Sequence, residues 1–304
     1  MQEQARVIAS YGSHALVETQ SGHREECSIK GKRLKPVAGD LVEIHRGSGN
    51  AGVIASILPR HTELGRQASG GRKRQILAAN LDTLIVVIAP EPAPEPGIVD
   101  RYLAAAEYSG LGAMIVFNKV ELADDQGPEW LEEFPPLGYP VFRVSAASGE
   151  GVDTLARHLE RHTVALVGQS GVGKSTLLNR LMGEDVARAG AVSDKSGEGR
   201  HTTTTAFLHR LPDHQASLID SPGVRDFHLS AIPPESVSGL FREIREAGVG
   251  CRFNDCQHQR EPGCAVREAV DSGHISPRRY RSYCRLREQM QALKERDPTI
   301  SRSG

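Results

Sequence analysis

The chain has 304 residues, 38% hydrophobic and 25% charged, with a formal net charge of −1. That length supports two or three domains, the middle one large enough for a sizeable core. Basic residues are in surplus over 1–80 and 234–304 and acidic ones over 81–233, so the flanks are the parts predicted to meet a polyanion. Met1-Gln-Glu-Gln-Ala-Arg6 has no apolar signal region, and no apolar run approaches a membrane span. A cytoplasmic protein without membrane contact is expected. Four of the five cysteines follow residue 250, unlike a secreted disulfide scaffold.

Five short strands are predicted at 5–11, 15–19, 24–30, 40–45 and 52–58, punctuated by Gly12, Gly22, Gly31, Gly39 and Gly47-Ser-Gly49. Five strands in so short a stretch predict a small Greek-key barrel of the OB type, a fold that binds nucleic acid, although an SH3-like barrel gives a similar pattern. Residues 59–75, with Arg60, Arg66 and Gly70-Gly-Arg-Lys-Arg74, read as a solvated basic linker. Beside such a barrel they could also neutralise phosphates.

From residue 82 the pattern changes to strand–helix alternation. Strands are predicted at 83–88, 114–117, 141–144, 164–167, 206–211 and 217–219, several continuously apolar as in parallel sheets covered on both faces. Helices are predicted at 99–109, 153–161 and 174–182.

Gly168-Gln169-Ser170-Gly171-Val172-Gly173-Lys174-Ser175, followed by Thr176, fits the phosphate-binding loop and stands between an apolar strand and a helix. Its glycines let backbone N–H groups curl around phosphates, Lys174 reaches the β- and γ-phosphates, and the Ser175 hydroxyl suits Mg²⁺. Asp220-Ser-Pro-Gly223 follows at the end of a strand. There the Asp220 carboxylate can hold Mg²⁺ through water and the Gly223 N–H can sense a γ-phosphate. Between them, His201-Thr-Thr-Thr-Thr205 is placed to be a switch segment, with Thr203 or Thr204 as the Mg²⁺-binding hydroxyl. The residue after Gly223 is Val224, which cannot orient water, so His201 is the candidate for that role.

The base-reading elements come first in the chain. Asn118-Lys119-Val120-Glu121 lies 50 residues upstream of Gly168, and Ser145-Ala146 lies between. In such a box a carboxylate accepts two hydrogen bonds from guanine, and Glu121 supplies it one methylene further out than aspartate would. The Ser145-Ala146 backbone is placed to donate to the guanine oxygen. The parts of a guanine-nucleotide switch are present in rotated order, and moving the termini this way leaves a sheet intact when the original ends lie close together.

Cys251, Cys256, His258 and Cys264 fall within 14 residues. Three thiolates and one imidazole suit a closed, structural Zn²⁺ site. Arg278–Arg287 interleaves tyrosines with arginines and continues in helix formers to Arg296, which reads as a charged helical tail.

With these features assembled, the chain resembles the circularly permuted GTPases that depend on the small ribosomal subunit, the RsgA or YjeQ family. Ala38-Gly39-Asp40, Asn118-Lys119, Gly168–Ser175, the His201 segment, Asp220-Ser-Pro-Gly-Val-Arg225 and the Cys-x4-Cys-x-His-x5-Cys spacing carry the resemblance over nearly the whole chain. It implies a multidomain protein: an OB-type RNA-binding barrel (1–64), a circularly permuted α/β P-loop GTPase domain (65–233) and a mostly α-helical zinc-binding domain (234–304). It further implies subunit-stimulated GTP hydrolysis in late maturation of the 30S subunit, contact with rRNA, His201 as the catalytic residue, and a monomer.

Overall fold

The computed structural model describes residues 2–31, 33–46, 51–67, 74–123, 127–183, 206–212, 215–220 and 232–296. Strands β1 (Gln2–Tyr11), β2 (His14–Thr19), β3 (Arg24–Ile29), β4 (Leu41–Arg46) and β5 (Gly52–Ile57) close into a barrel in the order β1-β2-β3-β5-β4. Alternate positions point inward, so Val7, Ala15, Val17, Cys27, Val42, Ile44 and Ile54 fill the interior. The pairing of β3 with β5 is parallel, whereas every other pairing in the barrel is antiparallel. A simple meander cannot produce that pairing, and it establishes the OB-type Greek key.

Part of the stretch expected to be a solvated linker is a hairpin. Strands β6 (Glu63–Gln67) and β7 (Arg74–Ala79) pair antiparallel. Leu64 and Ala78 are fully buried in the core that also underlies the central sheet. Arg60 is committed within the fold: it donates to both Asp40 carboxylate oxygens, at 2.6 and 2.8 Å, and to Glu63 at 3.1 Å. The basic composition concealed one buried leucine and the ion pairs of Arg60 with Asp40 and Glu63, which are enough to change the local structure.

The central sheet contains β8 (Thr83–Ile88), β9 (Gly112–Asn118), β10 (Val141–Val144), β11 (Thr163–Val167), β12 (Phe207–Arg210) and β13 (Ser217–Asp220), in the order β10-β9-β8-β11-β13-β12. All pairings are parallel except β12–β13. Counted from β11, the strand that feeds the glycine-rich loop, the order reads sixth, fifth, fourth, first, third, second. The last three strands of an unrotated chain therefore come first here, as the motif order requires. Helices α1 (Pro96–Tyr108), α2 (Val152–His158) and α3 (Lys174–Met182) cover the sheet, and Pro96 opens α1, where a missing N–H costs nothing.

The barrel rests against the N-terminal ends of the parallel strands. Arg6 donates to the Thr163 hydroxyl at 2.8 Å, and Arg210 pairs with the buried Glu18 at 2.6 Å. The C-terminal region contributes a cluster of helices, α4 (Arg242–Gly248), α5 (Ala265–Asp271) and α6 (Pro277–Arg296), with a 3-10 stretch at Pro234–Leu240. Among the described residues, no helix is long and apolar enough to cross a membrane.

Helix α6 differs from the expected charged tail. Its Tyr283, Leu286 and Met290 are core residues, and Arg279 is 1% exposed. The Arg279 guanidinium donates to Asp100 of α1 at 2.7 Å and to Glu243 of α4 at 2.7 and 3.0 Å, and it stacks over Phe241. Arg278 pairs with Asp100 and Glu133. This buried network fastens the C-terminal helices to the sheet domain, and removing one partner strands the others without solvent. Arg279→Ala is therefore expected to destabilise the protein by about 3–5 kcal/mol. Urea unfolding followed by circular dichroism measures this, and an unchanged midpoint would contradict it.

Candidate nucleotide site and metal cluster

In open α/β sheets, ligands bind beyond the C-terminal ends of the strands, where the strand order reverses. Every sequence-predicted nucleotide residue within the described part of the chain lies at that edge. Asn118 ends β9, Ser145 follows β10, Gly168 follows β11 and Asp220 ends β13. Lys174 opens α3, and Ser175 and Thr176 are exposed in its first turn, so the positive end of the helix faces the crevice. His201, Thr203, Thr204 and Gly223 lie outside the described residues.

The Asn118 side chain joins three loops. It is 1% exposed; its Nδ2 donates to the Val172 carbonyl at 2.9 Å, and its Oδ1 accepts the Ala146 N–H at 2.9 Å. The P-loop backbone is shaped around this bridge. A Cβ at Gly173, where φ is +89°, would lie 2.4 Å from Asn118 Nδ2, and one at Gly168 would lie 2.1 Å from the Val87 carbonyl oxygen. Only glycine fits either position. Lys174 folds over the loop, its ammonium donating to the carbonyls of Gly168 at 2.7 Å and Gln169 at 2.6 Å.

Lys119 adopts a left-handed conformation at φ +62° and donates to the Glu91 carbonyl at 2.8 Å. That contact turns its side chain towards the loop preceding α1, which the sequence reading did not connect with the pocket. Val120 is buried, and Glu121 is exposed in the 3-10 turn Val120–Leu122. Of the Ser145-Ala146 backbone, considered from sequence as a donor to guanine, the Ala146 N–H is engaged by Asn118 and the Ser145 N–H by the Glu150 carbonyl at 2.9 Å. The Ser145 hydroxyl accepts the Ser148 N–H at 3.0 Å and tightens the same turn.

The four metal-ligand candidates converge. One ligand atom each from Cys251, Cys256, His258 and Cys264 lies within 4.8 Å of all the others. The Cys251 and Cys264 sulfurs are 3.9 Å apart, and His258 Nδ1 is 3.5 and 3.6 Å from them. Tetrahedral bonds of about 2.3 Å to sulfur and about 2.1 Å to nitrogen span edges of about 3.6–3.8 Å. Burial pushes the Cys256 thiol up to about 12, so gathering thiolates here calls for a cation. The group can hold a metal ion.

Its loop is held from outside the ligand set. Glu261 accepts the backbone N–H groups of Gln257, Gln259 and Arg260, each at 2.9 Å. Desolvation would raise its carboxyl, but those donors hold it down at about 2. Tyr280 and Tyr283 donate to the carbonyls of His258 and Gln257 at 2.6 and 2.7 Å. These tyrosines, read from sequence as part of an arginine-rich tail, support the metal loop; their spacing on one helix face was the available signal.

Comparison with known proteins agrees with this geometry. The RsgA GTPase family model matches residues 57–230. The small ribosomal subunit biogenesis GTPase RsgA of Pseudomonas putida is 42% identical over 285 residues, covering 91% of this chain and 82% of that protein. The crystal structure of YjeQ from Thermotoga maritima superposes with a TM-score of 0.78 at 30% identity, over 96% of this chain and 99% of that one. YloQ, described as a circularly permuted GTPase, shares the fold at TM-score 0.75 and 22% identity, over 96% of each chain.

Protein purified without chelators is expected to carry about one metal ion per chain, and Cys256→Ser to lose most of it. Elemental analysis of both proteins checks this; full retention by the variant would remove Cys256 from the ligand set.

Proposed function

The chain belongs to the RsgA GTPase family, and on that premise we propose that it hydrolyses GTP to GDP as an assembly factor in late maturation of the small (30S) ribosomal subunit. The observation that supports the reading is the Asn118 bridge, which joins the Asn118-Lys119 turn to Val172 of the glycine-rich loop and to Ala146 despite their rotated order in the chain.

In this reading Asn118, Lys119, Val120 and Glu121 face the base, together with the Ser145-Ala146 turn. Gly168, Gln169, Ser170, Gly171, Val172, Gly173, Lys174, Ser175 and Thr176 enclose the phosphates. Ser175 and Asp220, with Thr203 or Thr204, would hold Mg²⁺, which neutralises charge on the β- and γ-oxygens. Gly223 reports the γ-phosphate, and His201 orients the attacking water. We take the metal of the Cys251, Cys256, His258 and Cys264 cluster to be Zn²⁺, because closed sets of three thiolates and one imidazole favour it. Elemental analysis finding iron in its place would overturn that identity.

The partners in this reading are the small subunit and its rRNA, met by a cytoplasmic monomer with no membrane contact. The units proposed are 1–64 for RNA binding, 65–233 for GTP hydrolysis and 234–304 for metal binding; the β6–β7 hairpin straddles the first boundary. An arrangement relying on a partner particle predicts slow turnover alone, on the order of 10⁻⁴ to 10⁻² s⁻¹.

Purified small subunits are expected to raise that rate strongly, and His201→Ala to abolish the rise while leaving GDP affinity within about twofold, since the histidine acts on the transition state. Phosphate release assayed with and without subunits, alongside GDP titration, tests both statements. Absence of stimulation would remove the assembly role, and an unaltered variant would remove His201 from catalysis.

A further inference from the structure

Helix α3 touches the nucleotide crevice at both ends. Its first turn presents Lys174 and Ser175, and its last turn carries Arg180, about 9 Å further along at 1.5 Å per residue. The Arg180 side chain reaches back to the turn after β10. Its Nε donates to the Ala146 carbonyl at 3.1 Å, and NH2 makes a close hydrogen bond to the Ala147 carbonyl.

Those two contacts set the orientation of a peptide. A trans peptide is planar, with its C=O and N–H directed oppositely. Holding the Ala146 carbonyl against Arg180 therefore directs the Ala147 N–H away from it. The neighbouring donors in the turn are already used: the Ala146 N–H by Asn118, the Ser148 N–H by the Ser145 hydroxyl and the Gly149 N–H by the Ser145 carbonyl at 2.8 Å. The Ala147 N–H is the donor left over, on an exposed residue. At the corresponding ring position guanine has an acceptor oxygen and adenine a donor amino group, so a fixed N–H there favours the first and opposes the second.

We propose that Arg180 is a positioning residue for guanine selectivity, holding the turn so that the Ala147 N–H reads the base oxygen. This rests on the GTPase reading above and adds to it a residue outside the recognised motifs. It also links the two halves of the crevice, because the helix that receives the phosphates carries the clamp on the base-reading turn.

The test uses full-length protein and Arg180→Met, which keeps much of the side-chain bulk and removes the donors. Affinity for GDP should fall about tenfold, the scale of losing one hydrogen bond to a charged group. The preference for GTP over ATP should shrink by a similar factor. Affinity for inorganic tripolyphosphate and the melting temperature should stay at wild-type values. Subunit-stimulated kcat at saturating GTP should change less than about twofold, placing the loss in KM. Arg180→Lys, which retains one donor group able to reach a carbonyl, should recover part of the preference. Ala147→Pro, which deletes the N–H and keeps the carbonyl that Arg180 holds, should reproduce the loss. Unchanged guanine preference in Arg180→Met, or equal weakening of tripolyphosphate and GDP, would overturn the proposal. Wild-type protein that binds ATP as tightly as GTP would instead overturn the GTPase reading beneath it.

Discussion

The two hydrogen bonds of the Asn118 carboxamide are the constraint around which the crevice is built. A buried amide left unpaired costs about 1–3 kcal/mol, more than a typical paired one contributes, so both ends must find partners. They find them in Val172 and Ala146, on loops that follow two different strands. The turn after β9, the turn after β10 and the glycine-rich loop after β11 are thereby fixed in one arrangement. Gly173 follows from the same fact, because any side chain there would occupy the amide's place.

Around that centre, the rotation assigns the rest of the chain to separate edges. The barrel occupies the N-terminal ends of the strands through Arg6 and Arg210, at the opposite edge from the glycine-rich loop. The C-terminal helices lie on α1, and this helix serves both regions. The loop before it accepts Lys119 at Glu91, Asp100 in its body holds Arg278 and Arg279, and Glu107 near its end holds Arg242 at 2.7 Å. The region that carries the Cys/His cluster is thus anchored to an element whose preceding loop meets Lys119. It has an extensive core of its own, built from Val237, Phe241, Ile244, Ile275, Tyr283 and Leu286, so a metal held by the cluster would order a loop on a body that is already packed.

Much of this was legible in the sequence, for reasons that can be traced to particular residues. Strand β8 was readable because Thr83–Ile88 is buried on both faces, which demands a continuous apolar run. The P-loop and the Cys/His set were readable because chemistry fixes their residue types at short spacing. Other features escaped because one long-range partner decided them. The β6–β7 hairpin depends on Leu64 finding a core formed largely by later residues. Arg279 looks like any surface arginine until Asp100, 179 positions earlier, is brought beside it. Arg180 has no local signature, since its partners are carbonyl groups that every residue possesses. The choice between barrel types also depended on a pairing, β3 with β5, that no alternation pattern encodes.

The most direct measurement of the central claim is hydrogen exchange, followed by mass spectrometry, on the full-length protein with and without GDP. A single crevice bridged by Asn118 predicts that GDP slows exchange together in residues 144–150 and 168–176, with the same dependence on GDP concentration. Protection confined to 168–176, with 144–150 exchanging as in the free protein, would contradict the account.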